Sequence, residues 1–100
     1  MLDLLIRRAT IYDGTGGESL VADVGVRGDR IVEIGTISAD SKEVVEASGL
    51  ALTPGFIDVH SHDDTFVLLH PDVEHNTRQG ITTVVVGNCG SGVVPYGVAM

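Results

Sequence analysis

Short runs in the first half of the chain alternate hydrophobic with polar positions. Val24 and Val26 alternate before Gly28-Asp29, and Val32 and Ile34 alternate after it, which predicts a β-hairpin around a glycine-containing turn. Upstream, "LLIRRATIYDGTGG" is an apolar stretch running into a cluster of turn residues. Downstream, past the polar "SADSKE", the segments "EVVEA" and "LALTP" are two further short strand candidates. Pro54 and Gly55 then punctuate the chain. Beyond them the pattern changes. "GFIDVH" is a mostly apolar run without a clean polar face until Asp58, as in strands buried on both faces of a parallel sheet. "HPDVEHNTRQG" follows and predicts one helix, with Asp72 near its start, Arg78 near its end and Gly80 as its stop. "ITTVVVG" is a second β-branched run of strand length. The stretch from His62 to Ile81 exceeds the dozen or so residues that a parallel crossover needs, so strand, helix and strand form one βαβ unit. The division is residues 1–54, β-rich, and residues 55–100, α/β.

Composition narrows the functional classes. The chain has 100 residues and a formal net charge of −8. That charge argues against nucleic acid, which needs a basic footprint, and against an anionic membrane surface. No apolar run approaches the ~20 residues of a bilayer span. In "MLDLLIRR" the arginines follow the apolar residues, the reverse of a secretory signal. A single cysteine forms no internal disulfide, and a cytoplasmic location is expected.

The chemistry concentrates in "GFIDVHSHDD". His60 and His62, two residues apart at the C-terminal end of a predicted strand, share a face and are spaced by roughly 6.5 Å. Two imidazoles so placed can converge on one metal ion, and neutral imidazole suits zinc. Asp58 lies one step deeper on that face, where it can orient a histidine or approach a metal. Cys89, in "VVVGNCGSG", follows the second strand between Gly87 and Gly90, which allow a sharp turn. Parallel neighbours lie about 4.8 Å apart and end on one edge, so Cys89 faces the rim of the histidines. Thiolate is a good zinc ligand. A lone strand-end histidine is most often a polar cap, and a lone cysteine most often a small buried hydrophobe. Against those readings, two separate stretches supply three potential ligands to one rim. His70 and His75 read as surface residues, His75 on a helix face. Asp63 and Asp64 read as a solvated loop or the start of a helical turn. "GNCGSG" lacks the Lys and Ser/Thr of a phosphate-binding loop.

"LTPGFIDVHSH" resembles the opening signature of the amidohydrolase superfamily, and its combination with "QGITTVVVGNCGSGVVP" resembles the N-acyl-D-amino-acid deacylase (D-aminoacylase) group. The resemblance implies a (β/α)8 barrel with a small β-sandwich domain. This chain would hold the β-rich N-terminal segment and the first βαβ unit of the barrel. It implies a zinc hydrolase, with one or two ions, that cleaves the amide of a small-molecule N-acyl-D-amino acid to a carboxylate and a D-amino acid. His60 and His62 match that family's paired histidines, Cys89 its cysteine ligand, and Asp58 its supporting acidic residue. The remaining histidine ligands and the catalytic aspartate would lie beyond Met100, so the hundred residues alone are expected to be inert. Two other readings stand beside it: a cyclic-amide hydrolase of hydantoinase or dihydroorotase type, and a non-enzymatic β-rich interaction module.

Overall fold

The structure is a computed structural model that describes residues 1–89, with only the backbone for Thr65. Gly90 and the remainder of "GSGVVP" lie outside the described residues. The chain divides into two compact units, Met1–Pro54 and a second that begins at Gly55.

The first unit is one five-stranded sheet built around its longest strand. β1 (Leu2–Ile11) pairs antiparallel with β2 (Leu20–Arg27), which pairs antiparallel with β3 (Arg30–Gly35) through the two-residue Gly28-Asp29 turn. This is the hairpin that the valine alternation predicts. On its other edge β1 pairs in parallel with β4 (Ser41–Glu46) and then with β5 (Ala51–Leu52), the two short strands expected from "EVVEA" and "LALTP". The core cluster is Leu2, Leu5 and Ile37, all but inaccessible.

β1 is pinned at an irregularity. Its register against β2 slips between Ile6 and Ala9, and Arg8 there adopts φ +55°. A non-glycine residue at positive φ is uncommon and needs support from its surroundings. Asp23, itself buried, supplies it: one carboxylate oxygen accepts the Arg8 N–H at 2.9 Å, and the other accepts the Ile37 N–H at 3.1 Å. The Arg8 and Ile37 amides hold the Asp23 carboxyl below the usual carboxylate range, with smaller help from the Arg7 and Arg8 charges. Folding lowers this pKa. The resulting stabilisation is therefore complete above the unfolded value of ~3.9 and is lost as pH falls through the lower folded value. The thermal midpoint of the protein will accordingly fall below pH ~4. Asp23→Asn will lower the midpoint at pH 7 and flatten the acid limb. An acid limb unchanged in that variant would show that Asp23 contributes nothing to it.

The second unit is a two-stranded parallel sheet, β6 (Phe56–Ser61) beside β7 (Ile81–Val86), with two four-residue helices between them in sequence, α1 (Asp63–Phe66) and α2 (Glu74–Thr77). The βαβ order is as expected, but the helix predicted within "HPDVEHNTRQG" shortens to α2, and α1 lies upstream of that segment. Pro71 and Val73 divide them: Val73 sits in the left-handed region at φ +44°, which no continuous right-handed helix can contain. Asp72 therefore lies before the second helix rather than in it, while Arg78 caps α2. The expectation that "GFIDVH" is buried on both faces also changes. Both helices pack on β7, and Phe56, Ile57 and Val59 are more than half exposed. An apolar run encodes a demand for cover, and no described residue of this unit buries Phe56, Ile57 or Val59. The two strands begin in close contact, because a Cβ at Gly55 would collide with the side chain of Thr82. Among the described residues no helix is long and apolar enough to cross a membrane.

Candidate metal centre

His60 is the penultimate residue of β6, and His62 follows its end. Cys89 lies in the turn after β7, on the rim where the two parallel strands finish. The turn begins at Gly87, whose φ of +81° is open to glycine and costly to most other residues. His60 Nε2 and Cys89 Sγ are 2.8 Å apart, and the donor atoms of His60, His62 and Cys89 all lie within 4.8 Å of one another. The two imidazoles stand edge to face, centroids 5.7 Å apart. A tetrahedral ion with bonds of ~2.0–2.3 Å holds its donors roughly 3.5 Å apart. The observed separations bracket that spacing. The donors are two imidazole nitrogens and one thiol sulfur, the set zinc prefers, and all three side chains are exposed. These residues fit the ion, and their exposure leaves room for a further ligand such as water or substrate.

Asp58 stands one layer below, half-buried, and does not join the donor cluster. Its Oδ1 accepts the backbone N–H of His60 at 3.1 Å. Its contact with His60 is thus to that histidine's backbone and not to its ring.

A second polar network was not legible in the residue pattern. Asp63 opens α1, as the helical-turn alternative has it, but its carboxylate is half-buried and hydrogen-bonded. It meets His75 Nε2 at 3.0 Å and accepts the amide of Asn76, while its own N–H donates to Ser61 Oγ at 3.1 Å. The Asn76 amide, foremost, holds the Asp63 carboxyl below the usual range against the opposing effect of burial. Asp63 thus ties the backbone next to His62 to α2. His75 is exposed in α2 and packs edge-on against Phe66, whose other neighbour is the stacked ring of His70. Neither His70 nor His75 belongs to a metal-ligand cluster among the described residues. In sequence the cue was the spacing of Asp63 from a histidine and an asparagine in the next helix, which is invisible until the crossover is folded.

The model of the amidohydrolase family matches residues 43–99, which include every member of the donor cluster. The chain belongs to the amidohydrolase family. It is 50% identical over 94 residues to the N-acyl-D-aspartate deacylase of Alcaligenes xylosoxydans xylosoxydans, covering 93% of this chain and 19% of that protein. Among solved structures, it superposes with a TM-score of 0.87 on an N-acyl-D-glutamate deacylase from Bordetella bronchiseptica, at 49% identity over 94% of this chain and 20% of that one. That protein was crystallised with zinc and a phosphonate inhibitor that mimics the tetrahedral intermediate. A D-aminoacylase with a binuclear metal centre matches with a TM-score of 0.86 and 42% identity, over 93% of this chain and 20% of that one. The chain of this amidohydrolase therefore spans about a fifth of the length of such relatives.

Proposed function

We propose that this amidohydrolase chain is the N-terminal portion of a zinc-dependent enzyme that cleaves N-acyl-D-amino acids to a carboxylate and a D-amino acid. On this reading, β6, β7 and the crossover between them open a (β/α)8 barrel, whose strands end at the catalytic face. The observation that carries the proposal is the 2.8 Å approach of Cys89 to His60. It places a sulfur donor from one strand end beside a nitrogen donor from the next. A cyclic-amide hydrolase would share His60 and His62 but has no need of Cys89 at that point. A bare interaction module has no need of the cluster at all.

When bound, zinc supplies Lewis acidity toward the amide carbonyl and an activated water at neutral pH. His60 and His62 would hold the ion as neutral donors, and Cys89 would hold it as a thiolate that adds negative charge. Asp58 holds the His60 backbone. The exposed rim leaves the substrate amide free to approach the three donors. A general base that takes a proton from water and returns it to the leaving amine is assigned to an aspartate on a later strand. Cys89 is useful only while reduced, so the reading includes a reducing, cytoplasmic setting.

The test is turnover of N-acetyl-D-aspartate, N-acetyl-D-glutamate and their L enantiomers by the complete polypeptide, before and after chelation. Release of acetate from a D substrate, abolished by chelator and restored by zinc, is the expected result. Turnover of hydantoins or dihydropyrimidines in its place, or hydrolysis indifferent to chelation, would contradict it.

A further inference from the structure

The strand that carries His60 is irregular at that residue. Asp58 pairs with Val84 and Ser61 pairs with Val86, so Val59 and His60 together oppose Val85. Two-against-one irregularities bend a strand and re-aim the side chains beside them. This one centres on a single peptide unit, whose carbonyl belongs to Val59 and whose N–H belongs to His60. Side chains hold both of its polar groups. Asp58 accepts the N–H at 3.1 Å, and the Asn88 amide donates to the carbonyl. A carbonyl accepts only from a donor, so the nitrogen of the Asn88 amide, not its oxygen, faces Val59. Asn88 immediately precedes Cys89. The amide therefore joins the backbone beside one candidate ligand to the backbone beside the other.

We infer that Asn88 is a positioning residue for the metal centre. Its grip on the Val59 carbonyl sets the tilt of the peptide that carries His60 and, together with that, the reach of Cys89 toward the strand. This rests on the zinc reading above. Residues that orient ligands without binding the ion typically contribute 10–100-fold to metal affinity. Asn88→Asp keeps the shape and loses the donor; Asn88→Ala loses both. The probe is zinc itself, titrated into the complete metal-free protein. Cobalt substitution adds a second reading, through the thiolate-to-cobalt charge-transfer band that reports Cys89 on the metal. Both variants are expected to bind zinc at least about 10-fold more weakly, with a diminished charge-transfer band. Their thermal midpoints in excess chelator should stay within a few degrees of the parent. Affinity within twofold of the parent and an intact band would overturn the inference and leave the zinc reading standing. Collapse of both variants in chelator would also overturn it, making Asn88 a structural residue. Failure of the unsubstituted protein to bind zinc would remove the zinc reading and this inference together.

Discussion

Cys89→Ala in the complete protein will bind zinc far more weakly and lose the proposed deacylase activity by more than the ~100-fold typical of groups that only support a ligand. Charge and geometry together set the size of that loss. Among the described residues, the cluster offers two neutral imidazoles and one sulfur. Only the sulfur brings negative charge, and it stands 2.8 Å from His60. An alanine leaves His60 and His62 to hold the ion without that charge. Cys89→Asp should recover part of the loss, since a carboxylate oxygen is also a zinc ligand, though a poorer match in length and softness. Metal content by elemental analysis, read beside turnover, separates the outcomes. Full occupancy and full activity in Cys89→Ala would take Cys89 out of the site.

The second large effect concerns stability. Leu5→Ala will cost about 3 kcal/mol, within the range for truncating a fully buried leucine. Leu5 is 1% exposed and packs with Leu2 and Ile37 at the centre of the sheet, on the strand that pairs with β2, β4 and β5. Removing its isopropyl group opens a cavity that a hydrogen-bonded central strand cannot collapse to fill. A loss of that size is a large fraction of the ~5–15 kcal/mol that stabilises a domain. Leu50, 59% exposed, is the control, and its replacement by alanine should change stability by no more than ~0.5 kcal/mol. Urea unfolding followed by circular dichroism measures both. A cost below ~1 kcal/mol for Leu5→Ala would mean that the sheet is held together elsewhere.

These effects follow from features of unequal visibility in the sequence. The β2–β3 hairpin was legible because Val24, Val26, Val32 and Ile34 alternate about a glycine turn, which is local information. The donor set was legible because strand geometry puts i and i+2 on one face and brings parallel neighbours to one rim. What escaped depends on contacts distant along the chain. Arg8 adopts a positive φ because Asp23 takes its N–H, and nothing around Arg8 announces that. The helix expected across "HPDVEHNTRQG" shrinks to α2 because Pro71 and Val73 precede it, a break that the flanking charges and terminal glycine do not announce. Asp63 and Asn88 look like ordinary turn residues until folding delivers Asn76 and the Val59 carbonyl to them. The apolar run of β6 expressed a need for cover that the described residues of its own unit do not meet.

The measurement nearest to the central claim is zinc-edge X-ray absorption on the complete, zinc-loaded protein. A sulfur scatterer at ~2.3 Å together with nitrogen scatterers at ~2.0–2.1 Å is the expected shell, and the sulfur should vanish in Cys89→Ala. A shell of nitrogen and oxygen alone in the unsubstituted protein would contradict the assignment of His60, His62 and Cys89 to one ion.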